Sequence, residues 1–387
     1  MFGFTYYSPT EIVFGPGTEA LAGALVQKWG GSRVLVVCGG HSARASGLLD
    51  RLLQSLTQAG LAWSVLEGVR PNPLLSAARA GVKQASDFGA DFLLGVGGGS
   101  VLDTAKAIAN GAANPDTDLW DFWTRKAVLT RALPVGAVLT IPASGSESSD
   151  SAVLTQDGTL TKRGLSSPFH RPKFAIMNPE LTCTLPREQV ACGVVDIMMH
   201  TMDRYFSKPT GNELTDEIAQ GLLRTVIRNG KRALDHPGDC QAMSELMWAG
   251  SLSHNGLTGL GAPNDFAPHQ LGHVLSGKYD VAHGASLSAV WGSWARYCYP
   301  TNPDRFVQFG REVWGVDGAL AAIEAAEEYF RRLEMPTCLS ELGIPVQDQA
   351  GLEDLARRCT FDRTRTIGTF QVLDYDGILK IYQMANR

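Results

Sequence analysis

The stretch DFLLGVGGGSVLDTAKAIA, residues 91–109, decides the fold. Asp91 to Val96 is a short continuous apolar run, the pattern of a strand buried on both faces. It stops at Gly97-Gly98-Gly99, and from Ser100 the pattern turns helical through TAKAIANGAA. Glycines let a backbone approach a ligand closely, and a helix N-terminus presents free N–H groups and the positive end of its dipole. A pyrophosphate is the natural occupant. Ser100-x-x-Asp103 also reads as a capping box, and one set of residues can both cap a helix and hold phosphate.

Working outward, the same alternation recurs. Arg33 to Cys38 (RVLVVC) reads as a strand, Leu48 to Gln58 as a helix and Ala62 to Leu66 as a second strand. Pro71-Asn72-Pro73 is a turn signal, followed by a helix through about Asp87. Downstream, the strand Gly136 to Ile141 runs into the hydroxyl-rich loop Pro142 to Ser149, and Lys173 to Met177 closes this half. Between them, Asp157-Gly158 is the signature of a two-residue hairpin, which would hold Lys162 on a rigid ribbon within reach of a phosphate or ribose. Such βαβ units predict a parallel sheet that binds its ligand at the carboxyl ends of its strands.

From about Pro186 the pattern is helical to the end, which predicts an α/β dinucleotide-binding domain over 1–185 and a helical domain over 186–387. The segment VVDIMMHTMDRYF places Asp196 and His200 at i and i+4 among apolar neighbours. A carboxylate and an imidazole there either satisfy each other or supply two ligands of a metal site. The segment HQLGHVLSGKYDVAH carries His269, His273 and His283, three of the eight histidines. The first two share a helix face, and a break at Gly277 would let His283 fold back toward them. Further on, Glu324, Glu327 and Glu328 read as a solvated helix face.

Composition bounds the function. A length of 387 residues favours two domains, and 44% apolar with 19% charged residues describes an ordinary globular chain. A net charge of −5 with no basic stripe argues against nucleic acid or an anionic membrane as partner and for a small molecule. The seven cysteines are scattered and read as reduced side chains. The opening MFGFTYYSPTEIVFGPG has no signal-peptide pattern, and no apolar run reaches the roughly 20 residues needed to span a bilayer, so a cytoplasmic protein is expected.

Together, GGGSVLDTAKAIA, TIPASGSE, the D-x-x-x-H pair and the H-x-x-x-H…H set resemble the iron-containing (group III) alcohol dehydrogenases, in particular the NADPH-dependent aldehyde reductases and butanol dehydrogenases. That resemblance spans nearly the whole chain. It implies an N-terminal Rossmann-like domain with a parallel sheet, then an all-α domain, as in dehydroquinate synthase-like enzymes, with the active site in the cleft between them. It implies that Asp196, His200, His269 and His283 ligate Fe(II) or Zn(II), while His273 stays off the metal, near nicotinamide and substrate. It further implies cofactor contacts at Asn72, Gly97, Gly98, Gly99, Ser100, Asp103, Thr140, Ser144 and Lys162, and a homodimer formed through an edge strand near the N-terminus.

The segment Cys38-Gly39-Gly40-His41-Ser42-Ala43-Arg44 departs from the NAD-using members, many of which carry an Asp where Gly40 stands here. With no carboxylate at that position, Gly39, Gly40 and Ser42, helped by Arg44, would accept a 2′-phosphate, and NADP(H) is expected over NAD(H). The expected reaction is metal-assisted interconversion of aldehydes and primary alcohols, with His273 handling the proton. The alternatives are a metal- and NAD-dependent lyase of the same fold, which needs a cluster of Lys and Arg for a phosphorylated substrate, and a non-enzymatic nucleotide-binding protein.

Overall fold

The computed structural model describes residues 3–208 and 211–387. The chain divides into two compact units, 7–184 and 185–387, the latter joined by the N-terminal residues up to Tyr6.

In the first unit the strands are β1 (Glu11–Phe14), β2 (Arg33–Cys38), β3 (Ala62–Leu66), β4 (Phe92–Gly97), β5 (Val135–Leu139), β6 (Ser151–Gln156), β7 (Thr161–Ser166) and β8 (Phe174–Met177). Six of them form one sheet in the order β1-β8-β5-β4-β2-β3, and every neighbouring pair is parallel. Its helices are α1 (Ala22–Lys28), α2 (Ser42–Ala45), α3 (Leu48–Gln58), α4 (Leu75–Phe88), α5 (Gly99–Ala113) and α6 (Leu119–Trp123). Side chains alternate faces along a strand, and here both faces are covered. Val34 and Val36 join Phe92 and Leu94 under Leu49, Leu52 and Leu56 of α3. Leu35 and Val37 join Leu93 on the opposite face, under Val101, Ala105 and Ile108 of α5. That two-sided burial is why these strands read as continuous apolar runs.

The PTEIVFGPG segment forms an edge strand, with β1 parallel to β8. One local expectation fails in this unit. The β6–β7 hairpin closes through four residues, 157–160, with Gln156 paired to Thr161. The Gln156 side chain accepts from Thr159 N and Oγ1, while Asp157 turns away to accept from the backbone N–H of Ser76 at 3.0 Å. Leu160 takes the left-handed conformation, φ 55°, that closes the wider loop.

The second unit is built from α7 (Arg187–Tyr205), α8 (Glu213–Asp235), α9 (Cys240–His254), α10 (Ala267–Tyr279), α11 (His283–Cys298), α12 (Pro303–Phe309), α13 (Ala319–Arg332), α14 (Gln349–Cys359) and α15 (Tyr375–Ala385). Helix α7 is buried at every position from Gly193 to Tyr205 and packs against α8, α9 and α11. An aromatic cluster anchors its end, with the Phe206 ring 4.4 Å from that of Phe306 and Trp294 edge-on to it. Helix α10 runs through Gly277 to Tyr279, so the expected break there does not occur. The chain reverses instead at Asp280, φ 54°, and α11 begins at His283.

Glu327 does not belong to a solvated face. It is buried, receives Arg296 at 2.7 Å, and occupies space that exists because residue 292 is glycine. Cys38, Cys192, Cys298, Cys338 and Cys359 are free thiols, whereas Cys183 and Cys240 are disulfide-bonded, which corrects the expectation of seven reduced cysteines. Among the described residues, no helix is long and apolar enough to cross a membrane.

Candidate metal centre and dinucleotide cradle

A helix buried on all sides places its polar side chains in the interior, where each must find a partner. On α7, Asp196 and His200 face one another one turn apart, with His200 Nδ1 3.1 Å from Asp196 Oδ1 and 2.9 Å from the Asp196 carbonyl. A carbonyl only accepts, so this contact puts the proton on Nδ1 and leaves Nε2 basic. His269, in the first turn of α10, directs Nε2 to within 3.6 Å of Asp196 Oδ1. Its Nδ1 donates to Asp203 Oδ2 at 2.5 Å. Neither Asp196 Oδ1 nor His269 Nε2 has a hydrogen-bond partner, although both atoms are fully buried.

Potential ligand atoms of Asp196, His200 and His269 all lie within 4.8 Å of one another. His283, the first residue of α11, brings Nε2 to 3.9 Å from the same carboxylate oxygen and is 26% exposed, at the rim. The His273 ring lies 5.3 Å from that of His283 and 6.3 Å from that of His269, outside the tight group. Two buried orphan atoms facing across a gap, in a set of imidazoles and one carboxylate, fit a divalent cation such as Fe(II) or Zn(II).

The charges agree with that donor set. Burial alone would raise Asp196, but His200, His269 and His283 outweigh it and hold the carboxyl well below its usual range. Burial lowers His200 despite the attraction of Asp196, so its imidazole is neutral. For His269, burial is outweighed by Asp203 and Asp196, and its pKa rises to about 9.

Three contributors were not singled out from the sequence. Asp203 fixes the His269 tautomer, the usual role of a carboxylate behind a metal-bound histidine. It lies seven residues after Asp196 in the same apolar helix, a spacing that returns to one face, so its signal was present. The His254 ring lies 4.1 Å from that of His200, tilted by 31°, and Phe266 meets His200 and His269 edge-on. Nothing in the local sequence pattern marks these two.

In the first unit, α5 starts at Gly99 rather than Ser100, and no side chain caps it, so the capping box does not form. Val101 N and Leu102 N close the first turn on Gly98 O, at 3.0 and 3.2 Å, and the N–H groups that precede them belong to the helix end that intrahelical bonds leave unpaired. Residues Gly97–Ser100 are packed from behind. Thr140 N donates to Gly97 O at 3.1 Å, Ile141 lies under Gly98, and a Cβ at residue 99 would collide with Ser144. Asp103 faces inward, with its carboxylate taken by Ser146 Oγ at 2.7 Å and Val153 N at 3.0 Å. Beside it, the buried Lys106 ammonium donates to Ser146 O, Ser146 Oγ and Ser151 O, which ties the 144–151 segment to α5. Burial, against the attraction of Asp103, brings Lys106 down to about 8.

Lys162 Nζ donates to Asn72 Oδ1 at 2.9 Å, so these two expected contacts meet at one point. At the next strand ends, Gly39 O accepts from Gly68 N at 2.9 Å and Gly40 faces open space. His41 is the N-cap of α2, and Ser42 begins it. Arg44 is ion-paired to Glu67, a residue the sequence reading did not consider.

The iron-containing alcohol dehydrogenase model matches residues 9–179, and the C-terminal model of the Fe-containing alcohol dehydrogenase family matches residues 190–386. The chain belongs to the iron-containing alcohol dehydrogenase family, and is an oxidoreductase of that type. It is 36% identical to the NADH-dependent butanol dehydrogenase A of Clostridium acetobutylicum and 35% identical to the NADPH-dependent aldehyde reductase YqhD of Escherichia coli, each over 100% of both chains. Its fold matches the crystal structure of an NADH-dependent butanol dehydrogenase A from Thermotoga maritima with a TM-score of 0.96, at 34% identity over 100% of this chain and 99% of that one.

Proposed function

We propose that this protein interconverts aldehydes and primary alcohols, acting mainly as an aldehyde reductase with NADP(H). The observation that carries the reading is the pair of buried orphan atoms, Asp196 Oδ1 and His269 Nε2, beside the basic Nε2 of His200. Asp196, His200, His269 and His283 would hold the divalent ion, and Gly97–Ser100 with Ser144 would hold the cofactor pyrophosphate. When bound, the ion supplies Lewis-acid polarisation of a carbonyl and the nicotinamide supplies hydride.

The chain's own residues do the rest. Asp196 stays ionised and His200 neutral, so both are ready donors without prior proton loss. Asp203 keeps the His269 proton on Nδ1 and its Nε2 directed at Asp196. His273, beside His283 and off the tight group, is the side chain that would pass a proton to the product oxygen. Asn72 orients Lys162, whose ammonium would meet the cofactor. Gly40, with no side chain and open space above it, leaves room for an adenosine 2′-phosphate. Relatives of comparable identity divide between NADH and NADPH, so this preference rests on that corner alone. The edge strand β1 is the surface through which we propose a homodimer, in the cytoplasm.

The test is to mix metal-loaded protein with butanal and NADPH or NADH and follow absorbance of the reduced cofactor. Catalytic oxidation of NADPH, lost on chelation and restored by Fe(II) or Zn(II), is the expected result. A protein that consumes neither cofactor overturns the reading, and a clear preference for NADH overturns the cofactor choice.

A further inference from the structure

The adenosine corner is defined by the backbone that follows β2 and β3. Gly68 N donates to Gly39 O at 2.9 Å and Val69 N to Cys38 O at 3.2 Å, so the two segments leave the sheet side by side. This brings Glu67, directly after β3, against Arg44 in α2. The pair is a fork, with Arg44 Nη2 on Glu67 Oε1 and Arg44 Nε 3.4 Å from Oε2. Both side chains are open to solvent, at 54% and 39% exposure, and a Cβ at Gly40, four residues before Arg44, would meet nothing within 4 Å. Ligands of a parallel sheet bind at the carboxyl ends of its strands, where this corner lies.

From this geometry we infer that Glu67 limits the preference for NADP(H) that Gly40 permits, by occupying Arg44 and by placing a carboxylate near where an adenosine 2′-phosphate would sit. A 2′-phosphate carries about two negative charges at neutral pH and recruits guanidinium forks, so it must compete with Glu67 for Arg44. A ribose 2′-hydroxyl has no charge to repel and can donate to a carboxylate. Gly40 and Glu67 thus oppose one another, the first admitting the phosphate and the second restraining it. The inference rests on the cofactor reading above.

Only the adenosine half of the cofactor is needed to test it, so neither metal nor turnover enters. The full chain and its E67Q, R44A and E67Q/R44A variants are titrated calorimetrically with 2′,5′-ADP and with 5′-AMP. In E67Q, 2′,5′-ADP should bind about tenfold tighter relative to 5′-AMP, as expected when a like charge leaves and a cation is freed. The double variant should lose that gain, which shows that Arg44 carries it. If both nucleotides bind and their ratio is the same in wild type and E67Q, Glu67 has no selecting role and the inference is overturned. If neither nucleotide binds wild type, the cofactor reading itself fails and this inference with it.

Discussion

Asp203 Oδ2 accepts the Nδ1 proton of His269 at 2.5 Å, and both side chains are buried. Asp203 is itself held, because its carbonyl accepts from Asp265 N at 2.9 Å. Asp265 in turn takes Thr369 N, Phe370 N and Ala267 N, at 2.6, 2.8 and 3.1 Å. The chain of bonds runs from the loop at 369–370 through the first turn of α10 to the imidazole. D203N keeps an acceptor for Nδ1 but removes the charge that makes Nε2 a strong donor. Zn(II) affinity, measured by chelator competition, should fall about 10–100-fold, while D203E should recover part of it. Equal affinity in D203N and wild type would remove Asp203 from the centre.

Metal binding should be linked to proton release. In the metal-free protein His269 titrates at about 9, raised chiefly by Asp203 against the opposing effect of burial. Asp196 is already ionised and His200 already neutral near pH 7, so neither contributes a proton there. Below pH 9 the ion must displace the His269 proton, and affinity should rise about tenfold per pH unit up to that pH before flattening. For the metal-free protein the sign is opposite. A folded-state pKa above the unfolded value near 6.5 contributes stability that is complete below about pH 6.5 and lost as pH rises through 9. Calorimetry in two buffers of different ionisation enthalpy measures the proton, and a melting series measures the stability. Metal affinity independent of pH between 6.5 and 8.5 would contradict the assignment.

The two histidines of α10 should separate cleanly. H269A removes a donor from the tight group and should lose the metal and with it turnover, yet remain folded. H273A should retain the metal and slow aldehyde reduction by about 10²–10⁴, the range for a lost proton-transfer group. Metal content of the purified variants, measured beside their rates, decides this. Loss of metal from H273A would mean that the histidine roles are exchanged.

What the sequence showed clearly was the sheet. Arg33–Cys38 and Ala62–Leu66 are β2 and β3 to the residue, the first because a strand covered on both faces must be apolar nearly throughout, whereas β3 is an edge strand with Ala62 and Trp63 exposed. The candidate ligands on α7 were legible for a related reason, since Asp196 and His200 are polar residues stranded in a helix with no outer face. What escaped depends on tertiary partners. Gly277 stays helical because a glycine costs a helix only about 1 kcal/mol, which packing in α10 absorbs, and the reversal falls at Asp280. The hairpin widened because Asp157 found Ser76, 81 residues away in sequence. Glu67 meets Arg44 only because β2 and β3 are neighbours in the sheet, which no local pattern encodes.

The glycine turn makes a prediction that separates packing from ligand binding. A Cβ at residue 99 would collide with Ser144 Oγ and lie 3.0 Å from Ser144 Cβ. G99A must therefore displace the 142–149 loop, at a cost of about 1–3 kcal/mol for overpacking, and should lower both the melting temperature and the affinity for NADPH. Adding S144A removes only the hydroxyl collision and should restore part of the stability, whereas S144G removes both contacts and should restore most of it. Cofactor affinity then decides the use of the turn. If G99A/S144G melts like S144G but binds NADPH more weakly than S144G, the added methyl obstructs the ligand directly and Gly99 is open for phosphate approach. If stability and affinity recover together, Gly99 serves to seat the loop, and the phosphate contact falls to the uncapped N–H groups of α5 alone.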